Sequence, residues 1–541
     1  MRTRCRYTLP GLWTALVFAA LSFTPSLLPR PAAYQGVVAG VDAAIGYGLG
    51  VAGAWVWREY ADRDARPSSP RTRRAFAVTA PLVLLLGTLL GRHWQRQSAA
   101  LIGTEPESLV SAVLVPVVGV LVFVLLVALA RGLRTVYRRI VTWLERHVGP
   151  RAARATGVVV LTGALVLGAT GVLWNWAIDA LDASLAVGDL TTPAEITQPT
   201  TRLRSGGPGS LVTWDSMGRQ GRIFVGEGPD AEDIVELTGG PAAEPIRIYT
   251  GTSSADSTEE QARLAVDDLF RAGGFTRGSL LVTTTTGTGW VEPSAASSFE
   301  YLTGGDSAIV AMQYSHLPSW MSYLVDHTAA RIAGRDLFDA VYDRWVRLPS
   351  EERPRLYVFG ESLGSFGGEN AFSGEADLAN RTDGVLFVGP PSFNPLYREI
   401  VDARDRGSRE IEPVYRDGRT IRFANRASED IPPDARPWSG TRVLYLQHPS
   451  DPITWWSPDL ILNRPDWLEE ERGSDVSDSM RWIPFVTFGQ VTADLALGFS
   501  TPPGHGHNFS GEHVDGWNAV LQPQGWTPEM LDRLRAQLRR E

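Results

Sequence analysis

The amino-acid sequence predicts an all-α membrane region followed by an α/β domain, in which a mostly parallel sheet carries helices on both faces. Two observations support this prediction. Long apolar stretches all fall before residue 200, and from about residue 220 short β-branched or aromatic runs alternate with amphipathic stretches. With 541 residues, the chain is also too long for one ordinary hydrophobic core. We therefore expect at least two structural units.

The apolar stretches predict about five membrane-spanning helices. Most are near the roughly 20 residues that a helix needs to cross a bilayer, although Pro25 interrupts the first and the third is short. Arginines precede the first stretch, as in a signal peptide, but further spans follow and no small-residue cleavage site ends it, so we interpret it as a retained span. The stretches cover residues 12–28, 37–56, 75–90, 109–130 and 156–178.

Arginine alone indicates the orientation of these spans, because the chain has no lysine. Residues 58–74 hold six arginines and residues 131–154 hold seven, whereas the other connections are poorer. Positively charged connections stay in the cytoplasm. The sequence therefore predicts a multi-pass protein of the cytoplasmic (inner) membrane, with the lipid bilayer as a partner and the carboxyl half on the outer side. Four spans instead of five would reverse that sidedness.

The charge distribution also divides the chain. Residues 1–200 carry a net charge of +8 and the remainder carries −17, which together give −9. The carboxyl half has no basic tract, which argues against a nucleic-acid partner because phosphate binding needs clustered positive charge. Cys5 is the only cysteine, so disulfides, Cys-ligated zinc and thiol catalysis are excluded from the carboxyl half.

These shifts predict three regions. Residues 1–182 form the membrane region, residues 183–215, rich in Thr, Pro, Gly and Ser, form a linker, and residues 216–541 form the α/β domain. Within that domain, the polar interval 394–437 is longer than a simple crossover, so it is a candidate cap.

The candidate strands of the α/β domain decide where its chemistry lies. In parallel sheets, functional groups collect at the carboxyl ends of the strands. The candidate strands are residues 246–249, 279–284, 308–312, 356–359, 385–388 and 443–446, and helical candidates include residues 259–272, 318–332 and 337–347.

Residues 360–364 read Gly-Glu-Ser-Leu-Gly and follow the strand-like run 356–359 directly. A Gly-x-Ser-x-Gly motif between a strand and a helix is typical of the nucleophile elbow of serine hydrolases, whose glycines avoid collisions with neighbouring backbone. The bare motif is weak evidence in a chain with 54 glycines. The preceding strand and the helix that residues 363–371 can form strengthen it, so we predict Ser362 as the nucleophile.

Candidates for the acid and the base follow in the chain order expected of such enzymes. Asp451 comes just after the strand candidate 443–446, although an Asp-Pro turn is a frequent surface feature. Residues 502–509 form a Gly-rich loop that carries His505 and His507. We favour His507 as the base because it is nearer the next predicted helix, and His505 remains the alternative. A metal site of these two with His513 is the weaker hypothesis, since no metal-binding pattern accompanies them, and no cofactor is predicted.

An oxyanion hole requires two backbone N–H groups. One should belong to Leu363, directly after the nucleophile, and the other to Gly287 or Thr288, in the loop after the strand candidate 279–284. The alternative for the second group is an ordinary Gly-Thr turn.

Aromatic side chains in the same loops are candidates for a substrate pocket. Core packing is the default for any single one, and a place at the membrane interface is a further alternative; the adjacent pair just after Asp451 is the best pocket candidate. The candidates are Trp290, Trp455 and Trp456.

Four segments together resemble one family. They are Thr-Pro-Ser-Leu-Leu-Pro-Arg at 24–30, Gly-Glu-Ser-Leu-Gly-Ser-Phe-Gly-Gly at 360–368, His-Pro-Ser-Asp-Pro-Ile at 448–453 and Gly-His-Gly-His at 504–507. The chain thus resembles a bacterial family of membrane-anchored α/β-hydrolases with an amino-terminal multi-span region. The resemblance implies the α/β-hydrolase fold and a Ser-Asp-His apparatus, and it implies no particular substrate.

Three functional hypotheses follow. The first is a serine hydrolase that cleaves an ester or thioester, of a lipid or an acylated envelope component, through an acyl-enzyme. The second is an acyltransferase with the same triad. The third is a non-catalytic membrane scaffold or transport partner that keeps the fold without the chemistry. The only acidic candidates for transport are Asp42, within the second apolar stretch, and Asp179, at the interfacial end of the fifth. No oligomeric state is predicted.

Overall fold

A computed structural model describes residues 7–64, 68–148, 189, 191–317, 327–431 and 436–539. The chain forms two compact units. The helical unit comprises Met1–Ala177 and Pro458–Leu497, and the sheet unit comprises Ile178–Ser457 and Gly498–Glu541. This division differs from the sequence-based one, because residues 458–497 lie inside the predicted α/β domain and yet pack within the helical unit. Their apolar pattern carries no sign of that choice, which is made by contacts with residues more than 400 positions away.

Residues 7–148, without the undescribed 65–67, contain four α-helices of the helical unit: α1 (Leu9–Leu21), α2 (Ala32–Tyr60), α3 (Pro70–Leu101) and α4 (Leu114–Val148). Three helices of the described chain are long and apolar enough to cross a membrane: Ala32–Tyr60, Pro70–Leu101 and Ser111–Arg139. Leucines along α3 and α4 are exposed, as expected of helix faces that contact lipid. These features indicate membrane anchoring.

Two predicted spans differ in outcome. The first, residues 12–28, contains only the short helix α1, because the chain turns before Pro25 and a residue preceding proline disfavours the helical conformation. The last, residues 156–178, lies outside the described residues.

Small residues bring α2 and α4 close together. A Cβ at Gly36 would meet the carbonyl oxygen of Val115 at 2.8 Å, and one at Gly40 would meet the carbonyl of Gly119 at 2.6 Å. Glycine spacing of this kind lets membrane helices pack backbone to backbone.

The segment 458–497 binds the loop between α1 and α2 within the helical unit. Arg30 Nε donates to Asp494 Oδ1 at 2.8 Å, and Gln490 Nε2 donates to the Thr24 carbonyl at 2.8 Å. Both partners of the ion pair are inaccessible to solvent. The Thr-Pro-Ser-Leu-Leu-Pro-Arg segment therefore serves as a docking loop for the helix Val486–Asp494.

The sheet unit contains seven parallel strands in the order β1-β3-β2-β4-β5-β7-β6. The α/β fold class is confirmed, and all six candidate strands are present. The seventh strand, β6, lies in the predicted cap interval, so part of that interval completes the edge of the sheet. The strands are β1 (Ile246–Thr250), β2 (Ser279–Thr284), β3 (Ser307–Met312), β4 (Arg355–Glu361), β5 (Gly384–Val388), β6 (Ile421–Ala424) and β7 (Arg442–Leu446).

Helices cover both faces of this sheet, and the strand side chains are buried on both faces, as expected of parallel strands. The predicted helices 318–332 and 337–347 correspond to one helix, His327–Trp345, while residues 318–326 lie outside the described chain. The helices of this unit are Gly218–Gly226, Ala231–Thr238, Thr258–Ala272, Pro293–Leu302, His327–Trp345, Leu363–Glu369, Glu375–Arg381, Pro395–Asp402, Ala427–Asp430, Pro452–Trp455, Glu512–Leu521 and Pro528–Leu538.

The predicted linker packs on the sheet over most of its described length. Arg204 pairs with Arg247 of β1 as an isolated bridge, and Ser205 Oγ accepts the backbone N–H of Tyr249 and donates to Asp268 at 2.7 Å. These buried hydrogen bonds tie this part of the linker to the edge of the sheet.

Strand register brings four strand ends together. Thr284 lies opposite Gly360, Glu361 lies opposite Val388, and Val388 lies opposite Leu446. The loops that follow β2, β4, β5 and β7 therefore emerge side by side at one edge of the sheet.

Candidate active site

Ser362 lies at the sharp turn between β4 and the helix Leu363–Glu369, with φ 53° and ψ −126°. A non-glycine residue in such a sparsely populated region costs about 1–3 kcal/mol and persists only where its surroundings hold it. Here the Ser362 N–H donates to the Val388 carbonyl at 2.8 Å, and Ser365 Oγ donates to the Ser362 carbonyl at 2.6 Å. The strained backbone is thus fixed from β5 and from the helix.

Both glycines of the motif are required by close backbone approach. A Cβ at Gly360 would collide with the carbonyl group of Gly364, and a Cβ at Gly364 would collide with the carbonyl oxygen of Thr284 at the end of β2. These contacts are the physical reason for the Gly-x-Ser-x-Gly pattern at this position.

Asp451 and His507 form a buried pair beside this turn. His507 Nδ1 lies 2.6 Å from Asp451 Oδ2, and both side chains are inaccessible to solvent. Asp451 caps the helix Pro452–Trp455 and accepts from Ile453 N at 2.8 Å and Thr454 Oγ1 at 3.2 Å. An ionised carboxylate only accepts, so the hydrogen of the neutral imidazole lies on Nδ1 and Nε2 is left as an acceptor.

The Nε2 atom of His507 is buried and has no hydrogen-bond partner among the described residues. The imidazole contacts Gly389, where a Cβ would lie 2.8 Å from Nδ1, and Gly389 directly follows Val388, the residue that binds the backbone of Ser362. The open acceptor nitrogen is therefore held next to the strand end that fixes the serine. A buried, unpaired imidazole nitrogen is what a general base requires.

His505 occupies a different position from His507. It lies in the turn that brackets Gly506, where its carbonyl accepts from Thr501 Oγ1 at 2.5 Å, and it is partly exposed. The hydrogen bond to Asp451 belongs to His507.

The loops that carry the acid and the base are joined by contacts that the sequence reasoning missed. His448 Nδ1 lies 2.8 Å from the Gly506 carbonyl, and Ser450 Oγ accepts the Gly506 N–H at 2.8 Å. His448 also lies 2.7 Å from Glu512 Oε2 and stacks on Phe509. The His-Pro-Ser-Asp segment could have indicated these contacts, since it places His448 and Ser450 within three positions of Asp451.

A second buried imidazole, that of His513, contacts the residue before the nucleophile. His513 Nε2 lies 2.8 Å from Glu361 Oε2, and Nδ1 lies 2.7 Å from Ser294 Oγ. Burial alone would lower the pKa of His513, but the hydrogen bond and charge of Glu361, with Glu292 and Glu512, raise it. Only the position of Glu361 beside Ser362 could have signalled this contact from the sequence.

A further buried carboxylate, Glu369, closes the helix that follows the nucleophile. It accepts from Asn394 Nδ2 at 2.9 Å, Tyr397 N at 3.2 Å and the Tyr445 hydroxyl at 3.1 Å. Burial raises the pKa of Glu369 to about 7, although these hydrogen bonds oppose the shift. Asn394 also donates to Ser365 Oγ at 3.1 Å, which connects this network to the turn.

Of the predicted oxyanion donors, Leu363 directly follows Ser362. It is the first residue of its helix, and the first N–H groups of a helix have no intrahelical partner. The N–H of Gly287 already donates to the Tyr314 hydroxyl at 2.9 Å, and the carbonyl of Thr288 accepts from Gln313. Gly287 could therefore serve an oxyanion only after the Tyr314 hydroxyl moves.

The three predicted pocket tryptophans have different surroundings. Trp455 is buried behind the acid loop, where its indole N–H donates to the His448 carbonyl at 2.9 Å. Trp456 is partly exposed and its carbonyl accepts from Ser392 Oγ. Trp290 is partly exposed and pairs with Thr286 across a tight turn.

Aromatic side chains also pack beside the nucleophile helix. Phe366 contacts Phe393 edge-on at 5.3 Å between ring centroids, and His327 stacks on Phe393 at 4.1 Å. This cluster borders Leu363. In the described part of the chain, no three His, Cys, Asp or Glu side chains come together in a way that could hold a metal ion.

The fold and this arrangement define the class of the α/β-hydrolases: a parallel sheet, a strained serine between a strand and a helix, and a buried His–Asp pair at neighbouring strand ends. The profile described as "Alpha/beta-hydrolase family" matches residues 246–534, and the profile described as "Alpha/beta-hydrolase family N-terminus" matches residues 23–229. The chain belongs to this α/β-hydrolase family. No curated protein and no solved structure matches it.

Proposed function

We propose that this protein is a membrane-anchored serine hydrolase that cleaves an ester or thioester through an acyl-enzyme. Ser362 Oγ attacks the substrate carbonyl while His507 Nε2 takes its proton, and His507 later returns that proton to the leaving group. Asp451 keeps the Nδ1–H tautomer of the imidazole and stabilises the imidazolium. The N–H of Leu363 stabilises the oxyanion, and the second donor comes from the loop containing Gly287 and Thr288.

One observation carries this proposal: the backbone strain of Ser362 occurs beside a buried imidazole whose outer nitrogen is unpaired. Each is costly by itself, since strained φ/ψ values and unsatisfied buried polar atoms both destabilise a fold. A serine and a histidine with only structural roles would gain nothing from the backbone strain and the unpaired nitrogen. Their combination supports a reactive centre.

The apolar helices support the substrate class. A hydrolase anchored by helices α2–α4 meets substrates that lie at or in the bilayer, such as lipids or acylated envelope components. The cytoplasmic membrane as the location, with the sheet unit on its outer side, is part of the same proposal and follows from the arginine distribution.

The direct test is labelling of the detergent-purified full-length protein with a fluorophosphonate probe. Wild type should be labelled, and Ser362→Ala should not. Ser373→Ala, which removes an exposed hydroxyl in the same unit, is the matched control and should label like wild type. Folded wild-type protein that fails to react would contradict the proposal and favour the scaffold hypothesis.

Product analysis distinguishes whether water or an acceptor alcohol removes the acyl group from the enzyme. Incubation of an acyl ester with and without an acceptor alcohol separates free fatty acid from transferred acyl product. We expect free acid to dominate in both cases. A predominantly transferred product would make the protein an acyltransferase with the same triad.

A further inference from the structure

We propose that His513 is a positioning residue for the proposed reaction: as a buried imidazolium it holds the Glu361 carboxylate and balances its charge, one residue before the nucleophile. This inference rests on the proposed function of Ser362. His513 has no contact with Asp451 among the described interactions, so it forms a second His–carboxylate pair separate from the triad.

The hydrogens available to the neighbouring side chains support the charged state of His513. Ser294 has one hydroxyl proton, and its Oγ lies 2.9 Å from Glu292 Oε1 and 2.7 Å from His513 Nδ1. An ionised Glu292 can only accept, so the Ser294 hydroxyl donates to it and accepts from Nδ1–H. Glu361 likewise accepts from Nε2–H at 2.8 Å. Both ring nitrogens then carry hydrogen.

The alternative place for this proton is Glu292, whose pKa is raised by burial and by the charge of Glu361. An imidazole ordinarily titrates at 6.5 and a glutamate at 4.5, and the pKa of both is raised here. The contacts place the proton on the imidazole: Glu292 Oε1 accepts both the Ser294 backbone N–H at 3.2 Å and the Ser294 hydroxyl at 2.9 Å, so Nδ1 faces a hydroxyl lone pair and keeps its hydrogen. The titratable groups that face His513 are Glu361 at the end of β4, Glu292 before the helix Pro293–Leu302, and Glu512 on its own helix.

The consequence concerns the charge near the reacting serine. Glu361 is buried and directly precedes Ser362. Without a counter-ion, its negative charge would oppose the oxyanion that develops as Ser362 attacks, because like charges repel strongly where water is excluded. It would also be free to leave its present position and disturb the strained turn. The imidazolium prevents both effects.

Charge-dependent rescue tests this role. In full-length protein, His513→Gln keeps a hydrogen-bonding amide but removes the cation, and fluorophosphonate labelling of Ser362 should slow by about 10- to 100-fold. Adding Glu361→Gln removes the unbalanced charge, so the double variant should label at least several-fold faster than His513→Gln alone. His93→Gln, at an exposed histidine of α3, is the matched control.

Two results would overturn the proposal: wild-type rates for His513→Gln, or a double variant no faster than the single one. The latter would indicate that His513 only packs. If wild type does not react at all, the proposed function of Ser362 fails instead, and thermal unfolding then decides the charge state of His513.

That second measurement needs no activity. A histidine whose folded pKa is raised contributes stability that is present below 6.5 and is lost as pH rises through the folded pKa. The thermal midpoint of wild type relative to the double variant should therefore be highest near pH 6 and fall towards pH 9. A difference in midpoint that is the same at both pH values would contradict the imidazolium.

Discussion

The helical unit and the sheet unit each contain a buried acid–base pair that joins distant parts of the chain. Arg30 meets Asp494 in the helical unit, and Asp451 meets His507 in the sheet unit. In both pairs the two side chains are inaccessible to solvent. The pairs differ in what remains unsatisfied.

In the helical unit, the donors of Arg30 are distributed over three partners. Nε donates to Asp494, Nη1 to Gln35 at 3.1 Å, and Nη2 to the Gln490 carbonyl at 2.8 Å. Asp494 also accepts from the Ser26 hydroxyl. In the sheet unit, Nε2 of His507 has no hydrogen-bond partner within the part of the chain that the structure describes.

This difference distinguishes a buried pair that stabilises the structure from a buried pair that can take part in a reaction. A buried charge whose donors and acceptors are all used fastens segments together, whereas a buried pair with one open atom keeps that atom available for reaction. The Arg30–Asp494 pair is therefore a structural contact, and the open Nε2 of His507 supports the proposed role of the His507–Asp451 pair.

The largest expected effect comes from Asp451→Asn. The amide donates to His507 Nδ1 and selects the tautomer with hydrogen on Nε2, so the base is lost, and labelling of Ser362 should slow by about 10⁴-fold while the protein stays folded. The measurement is the rate of fluorophosphonate labelling. His505→Asn, two residues from the base, is the control and should change the rate by about twofold or less. A labelling rate for Asp451→Asn within tenfold of wild type would assign the acid elsewhere.

The second effect is on stability. Asp494→Asn leaves the Arg30 charge buried without its counter-ion, and breaking such a pair costs about 3–5 kcal/mol. The thermal midpoint of the detergent-solubilised protein should fall markedly. Glu259→Gln removes one partner of the exposed pair with Arg263, which is worth about 0–1 kcal/mol, and serves as the control. Equal shifts of the thermal midpoint for the two variants would mean that the buried Arg30–Asp494 pair does not stabilise the helical unit.

The third effect is a pH dependence at Glu369, which is buried and hydrogen-bonded but has no cationic partner among the described residues. Its pKa of about 7 lies above the ordinary 4.5, so the folded state holds the proton more tightly than the unfolded state. The stability from protonated Glu369 is therefore present below pH 4.5 and is lost as pH rises through 7, by about 3 kcal/mol in all.

Glu369→Gln resembles the protonated form and removes this titration. Its thermal midpoint relative to wild type should rise between pH 5 and pH 8. Unfolding curves of both proteins at the two pH values give the comparison. A pH-independent difference would show that Glu369 is ionised in the folded protein at both pH values.

Local sequence was enough to predict most of the fold and the turn at Ser362, the centre of the candidate site. The strands of a parallel sheet are buried on both faces, so each is a short apolar run that can be recognised without knowing its neighbours. β6 was not predicted because its four residues, interrupted by Arg422, make too short an apolar run. The Gly-x-Ser-x-Gly pattern was informative because it directly follows a recognisable strand, and the close approach that requires Gly360 is to Gly364, four residues away.

What the sequence by itself determined was therefore whatever depends on neighbours in the chain: apolar helices before residue 200, a parallel sheet after it, and a nucleophile candidate between a strand and a helix. Tertiary structure decided that His507 and not His505 meets Asp451, that His513 meets Glu361, and that residues 458–497 pack in the helical unit. These outcomes depend on turns and contacts between residues 56, 152 and more than 400 positions apart. The identity of a residue does not specify such a distant partner, because the partner is brought near only when the whole sheet and its loops have formed.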